Sequence, residues 1–241
     1  MLKVLSSIQF DKKTGAATSK SDTLMNWAVS EVKKALLAGQ DIETATKAHT
    51  KKSDFSKNFG HKVHSIIELA SHAHNEGHKY SWGESPEDTV AKRIFDNDLK
   101  TNTKVLAQEL LVFMPSNPDA PKEEWKDWIA GTFDRLVLRD GKVELQDHKT
   151  SSGVYDLNYF VQLRGYQEML EWMMKDKNNT YANTLDVLYH QPIEVRRINL
   201  STKTGFFTDE WLSTNHDDDS EMLKATKTIF NISKKYRHLF W

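Results

Sequence analysis

The chain has 241 residues, 28% of them charged, a net charge of −1 and no cysteine. That length holds one large domain or two small ones. The missing cysteines exclude disulfides, thiolate zinc sites and iron–sulfur clusters, and the near-zero charge excludes a nonspecific nucleic-acid coat protein, which is strongly basic.

Residues 1–20, rich in Lys, Thr, Gly and Ser, read as a loose arm. The opening "MLKVLSSIQFDKKTG" has neither a signal-peptide core nor Arg-rich transit character, and no apolar run reaches the length of a membrane span. The expected setting is cytoplasmic. From Asp22, "SDTLMNWAVSEVKKALLAG" predicts a helix capped by Ser21 or Asp22 and ended by Gly39. Its apolar stripe is Leu24, Trp27, Ala28, Val32, Ala35 and Leu36. A short helix over Ile42–His49 and a longer one over Lys57–Asn75 follow, the latter with Val63, Ile66, Ile67 and Ala70 inward. "SPEDTVAKRIFDNDLK" predicts a fourth helix, with a Ser85 cap and Pro86 in the first turn.

Strand character begins at residues 104–113, "KVLAQELLVF", followed by a Pro-rich loop and a hairpin over 128–150. "YDLNYFVQLRGYQEMLEWMMKD" predicts an amphipathic helix, "LDVLYH" and "IEVRRINL" two strands, and "DDDSEMLKATKTIFNISKKYRHLFW" a last helix. Acids at the start of that helix account for Asp217–Asp219, and bases close it. The order of elements suggests α/β or α+β with a mixed central sheet.

The hairpin raises a chemical question. Asp140-Gly141 is a strong tight-turn signal. Counting outward, Leu138 faces Val143, Leu136 faces Leu145, Asp134 faces Asp147 and Thr132 faces Lys149. Alternation then places Asp134, Asp147 and Lys149 on the face that Leu136 and Leu145 begin. Facing carboxylates destabilise a strand pair, so they call for cations. Lys149 supplies one charge. A divalent metal with oxygen ligands, Mg²⁺ or Mn²⁺, would supply the rest. A surface hairpin with solvated aspartates is the competing reading.

Three further features bear on this site. Glu109 stands in an otherwise apolar strand, where burial without a partner is costly; it reaches solvent at an edge or binds a cation. Gln162 and Tyr166 are four apart on one helix face; they contact a ligand, or Tyr166 caps the core beside a surface Gln162. His61, His64, His72, His74 and His78 crowd one region, and His64, Glu68 and His72 share a face. HExxH is absent, which favours one functional histidine, His64, over a zinc cluster. No GxxxxGK or GxGxxG is present, so no nucleotide cofactor is expected, and no GxSxG elbow marks a serine nucleophile.

Taken together, these elements resemble the PD-(D/E)xK nuclease superfamily, in its RecB-like exonuclease branch. "FGHKVHSIIE" looks like the Gly-x-x-x-His helix, with Gly60 and His64. "QELLVF" looks like the strand of the upstream acid, Glu109. "AGTFD" ends in the first motif aspartate, Asp134, with Phe133 where the superfamily name has Pro. "LQDHKTSSG" is the D-x-K element, with Asp147 and Lys149, and "YFVQLRGYQEML" resembles the Gln-x-x-x-Tyr helix, with Gln162 and Tyr166. The likeness covers about residues 20–200. Helicase-associated and CRISPR-adaptation members of this branch often carry a four-cysteine iron–sulfur cluster; this chain, with no cysteine, is closer to small cysteine-free members such as the phage-type and mitochondrial genome maintenance exonucleases.

The resemblance implies a restriction-endonuclease-like core, a mixed sheet flanked by helices. After the 1–20 arm, one nuclease domain would span 21–241: a helical part over 21–100, the catalytic sheet and helix over 101–200, and a C-terminal helix over 201–241. It implies a DNA substrate with a free end and Mg²⁺ or Mn²⁺ held by Asp134, Asp147, His64 and Glu109, with the Asp147–His148 backbone carbonyl region adding a ligand. Lys149 would orient the attacking water or stabilise the phosphorane charge. Gln162 and Tyr166, with Thr150 and Ser151, would position DNA, and products would carry 5′-phosphates. Replication, recombination or repair is the expected setting; the resemblance implies a bacterial or phage-infected cell and is also compatible with a mitochondrial one. The competing functions are a structure-specific endonuclease, a catalytically inactive DNA-binding module and a zinc-binding helical protein.

Overall fold

Asp140 and Gly141 both have positive φ, 49° and 78°, as a two-residue primed hairpin turn requires. This holds in the computed structural model, which describes residues 8–10, 17–125, 127–150, 158–175, 193–200, 207–212 and 216–235. Around the turn, β4 (Trp128–Arg139) and β5 (Lys142–Lys149) pair antiparallel, with Leu138 opposite Val143 and Leu136 opposite Leu145. The ladder ends at Arg135–Gln146. The expected pairs Asp134–Asp147 and Thr132–Lys149 do not form. Beyond Arg135, β4 stays with β3 (Lys104–Pro115) while β5 runs on beside β6 (Ile193–Leu200), so the two strands part where the carboxylates begin.

The described strands form a mixed five-stranded sheet in the order β3-β4-β5-β6-β7, with β7 at Phe207–Leu212. β5 and β6 are parallel and the other neighbours antiparallel. A parallel neighbour needs a crossover, and α5 (Asn158–Lys175) lies between β5 and β6 in the chain. Its buried Leu163, Met169, Leu170 and Met173 pack on Val112, Met114, Leu136, Val143 and Leu145 of the sheet. Each such side chain contributes about 1.5–3 kcal/mol when buried. α6 (His216–Lys235) covers α5 through ion pairs Arg164–Asp219 at 3.7 Å and Lys227–Glu168 at 2.6 Å.

Alternation sends Arg135, Gln146 and His148 to the opposite sheet face. There Arg135, 1% exposed, meets Asp98 of α4 (Pro86–Lys100) at 2.6 Å. α4 packs on α3 (Ala48–Asn75) through Phe59, Val63, Ile67, Val90, Ala91 and Ile94. Helices therefore lie on both faces of a mixed α/β sheet.

Several elements differ from the sequence reading. The 1–20 arm contains a small hairpin, β1 (Ile8–Phe10) with β2 (Ala17–Ser19), whose β-formers Ile8, Phe10 and Thr18 outweigh the polar residues around them. α1 spans Lys20–Leu37 and so begins ahead of the expected cap. Along it, Ala35 is buried, whereas Leu24 and Leu36 are exposed. α2 is confined to Ile42–Thr46, capped by Asp41, whose side chain accepts from the Thr44 N–H. α3 starts nine residues early at Ala48, since nothing between Ala48 and Lys57 breaks a helix and Lys52 ties that turn to Glu31 of α1 at 2.8 Å. The Ser85 cap and Pro86 start of α4 are as expected. β7 lay hidden in the polar "FTDEWL", which takes strand form beside β6. The expected strand at 185–190 lies outside the described residues. Among the described residues, no helix is long and apolar enough to cross a membrane.

Candidate metal centre

Glu109 is the backbone anomaly of the sheet. Its φ is 47°, a left-handed conformation that is strained for a non-glycine residue inside a strand. The register pairs Gln108 with Arg135 and Leu110 with Phe133, which sets Glu109 across from Asp134. Strict alternation fails on both strands here: Ala107 and Leu110 of β3, and Leu136 and Phe133 of β4, all join the same apolar cluster. The flip turns Glu109 and Asp134 toward α3.

His64 of α3 meets them. Its Nε2 donates to the His148 carbonyl at 3.0 Å. Since a carbonyl only accepts, Nδ1 of the neutral ring carries a lone pair. That atom lies 3.7 Å from Asp134 Oδ1 and 4.0 Å from Glu109 Oε1. One ligand atom from each of His64, Glu109 and Asp134 falls within 4.8 Å of the others. A cavity of about 10 Å³ touches all three, together with Ile67, Glu68, Gln108, Arg135 and His148. Glu109 reaches solvent, with its side chain 42% exposed, while its ligand atom stays within reach of the other two, so the three acceptors form a candidate cation site.

β5 supplies the other half. Asp147 is 5% exposed; its Oδ1 accepts from Lys149 Nζ at 2.7 Å, while Oδ2 is buried without a hydrogen-bond partner. Burial pushes its carboxyl up to about 6 against the pull of Lys149, and Asp134 adds to the push. Burial alone would lower the Lys149 ammonium, but the attraction and hydrogen bond of Asp147 outweigh it and hold the group above its ordinary range. Glu109 is raised too, by burial and then by Asp134. Carboxylates pushed upward beside an orphaned buried oxygen fit a bound divalent ion, and this set of carboxylates with one imidazole suits Mn²⁺ or Mg²⁺.

His64, Glu109 and Asp134 thus form one group, with Asp147 and Lys149 beside it as a bonded pair. His148 contributes its backbone: the N–H donates to Asp134 Oδ2 at 2.7 Å and the carbonyl accepts from His64. Its ring is buried and held neutral, since burial and then Arg135 lower its pKa well below the usual value. Gln162 donates to the Tyr166 hydroxyl at 2.6 Å. A β-carbon at Gly131 would run into the Tyr166 ring, so the glycine of "AGTFD" seats that tyrosine. Thr150 Oγ1 would lie 3.1 Å from a β-carbon at Gly60, which makes Gly60 the point of close approach between α3 and the end of β5. Ser151 lies outside the described residues.

His72, named above beside His64 and Glu68, is remote from this group; its Nδ1 faces Glu76 at 3.7 Å. The sequence reading missed Arg135, Asp98, Gln108 and Tyr159. Of these, Arg135 carried a signal: an arginine leading straight into the apolar run Leu136–Leu138 of a strand needs a buried acid if it is itself buried. In comparisons with protein-family models, curated proteins and solved structures, nothing matched.

Proposed function

We propose that this chain is a Mg²⁺- or Mn²⁺-dependent deoxyribonuclease, an exonuclease of the PD-(D/E)xK type with a restriction-endonuclease-like core. The observation that carries the reading is the convergence of His64, Glu109 and Asp134, with ligand atoms within 4.8 Å of one another, beside the Asp147–Lys149 pair. Support for the core comes from a mixed sheet with helices on both faces and from acids placed where β4 and β5 part.

His64, Glu109 and Asp134 would hold the ion, with Asp147 Oδ2 as a further ligand. When bound, a divalent ion lowers the pKa of a coordinated water and neutralises a phosphate oxygen. Lys149, fixed as a cation by Asp147, would orient the attacking water and offset charge growing on the phosphate. His64 keeps its acceptor nitrogen toward the site because its other nitrogen is committed to His148. Burial raises the Tyr166 hydroxyl, with Gln162 pulling the other way. That hydroxyl stays protonated near neutral pH and can donate to a phosphate oxygen.

The test is a cleavage time course on end-labelled linear single- and double-stranded DNA beside a closed circle, with Mg²⁺, Mn²⁺ or EDTA. Metal-dependent loss of the linear DNA with the circle intact is expected. A nicked circle would move the reading to an endonuclease. Folded protein inert with both metals would overturn it in favour of a binding module.

A further inference from the structure

Lys149 has a second neighbour. Its Nζ sits 5.4 Å from the ring centroid of Tyr159, the second residue of α5. The ammonium is thus held between a carboxylate oxygen at 2.7 Å and an aromatic face. Tyr159, Gln162 and Tyr166 are spaced three and four apart, so they form one stripe on α5. One end of that stripe meets Lys149 and the other seats on Gly131.

Lysine is a compact charge on a four-carbon stem with many rotamers. One hydrogen bond to Asp147 fixes its reach but leaves its direction loose. Asp147 is also the carboxylate whose second oxygen faces burial without a partner. A cation drawn to that oxygen would weaken the hold of Asp147 on Lys149. An aromatic face is a hold that does not compete for the same oxygen, because the ring attracts the ammonium through its quadrupole.

The geometry points to Tyr159 as a positioning residue that keeps the Lys149 ammonium in place while Asp147 is engaged. This assignment rests on the nuclease reading above. The ring does the holding, so phenylalanine replaces it and an aliphatic residue does not.

The experiment measures kcat and KM on linear DNA with Mn²⁺ for wild type, Tyr159→Phe, Tyr159→Leu and Tyr159→Met, with DNA affinity by anisotropy without divalent metal. Circular dichroism and melting of each variant confirm folding, and the methionine variant stands in if leucine disturbs the helix start. Expected is near-wild-type turnover for Tyr159→Phe and a fall in kcat of about tenfold for the two aliphatic variants. KM and DNA affinity should stay within about twofold. Unchanged kcat in a folded aliphatic variant overturns the assignment. So does a loss confined to KM and DNA affinity, which would make Tyr159 a DNA contact, and so does equal loss in Tyr159→Phe. A wild-type chain that cleaves nothing removes the nuclease reading itself, an outcome separate from these.

Discussion

His64 donates from Nε2 to the carbonyl of His148, 3.0 Å away across 84 residues of sequence, and so turns Nδ1 toward Asp134. A helix and a strand thereby fix one imidazole tautomer. Replacing His64 with glutamine or alanine should weaken Mn²⁺ binding by more than the ~10–100-fold typical of losing an outer-shell partner. Titration calorimetry reads this directly. Unchanged affinity in the alanine variant would take His64 out of the metal shell.

Asp134 carries two duties, a bond from the His148 N–H and a place in the acceptor group. Asp134→Asn keeps a carbonyl oxygen that can accept that N–H but removes the charge. The expected outcome is a fold of near-normal stability that no longer binds Mn²⁺, and calorimetry beside a melting curve separates the two duties.

Lys149 should separate chemistry from binding. Lys149→Ala is expected to lower turnover at least about 10²–10³-fold, the scale of losing one preorganised charge stabiliser. DNA affinity and Mn²⁺ affinity should persist. Strong residual cleavage in purified Lys149→Ala protein would end its catalytic assignment.

The metal-free chain should lose stability as pH rises. Burial lifts the folded Asp147 carboxyl from 3.8 to about 6, so between those values the native state holds a proton that the unfolded state has released. Stability therefore falls as pH climbs through that window, and the penalty is complete above about 6. Denaturant titrations in EDTA across the window should show the decline, and saturating Mn²⁺ should flatten it at the upper end. A metal-free midpoint that rises with pH instead would contradict the burial argument.

The Arg135–Asp98 pair joins α4 to the strand that carries Asp134. Removing one member of a buried pair strands the other, at about 3–5 kcal/mol. Asp98→Ala should show that loss in urea unfolding, whereas surface pairs such as Lys92–Asp96 should change stability by about 1 kcal/mol or less.

Much of this was legible in the sequence because it rests on local chemistry. The Asp140-Gly141 turn fixes which of Leu136, Leu138, Val143 and Leu145 face one another. Ser85 and Pro86 mark a helix start by capping alone. What local chemistry does not encode was missed. The parting of β4 from β5 depends on β6, a strand more than 40 residues downstream, and it undoes the expected Asp134–Asp147 pairing. Glu109 was legible as one acid in an otherwise apolar strand, but its left-handed backbone, which breaks the alternation there, was not. At the site, the residue types were readable but their grouping was not. His64, Glu109 and Asp134 come together through a helix crossing, while Asp147 turns to its own neighbour, Lys149.

The left-handed backbone at Glu109 also sets a trap for anyone engineering this chain. Stability-guided redesign would favour glycine or asparagine there, because both tolerate that conformation and neither sets a second full carboxylate against Asp134. Such a variant is expected to melt later and, on the proposed metal-site reading, to bind Mn²⁺ less tightly. Position 109 is where a ranking by thermal tolerance and a ranking by chemistry run in opposite directions, and a library selected on folding alone would drift away from the acid first.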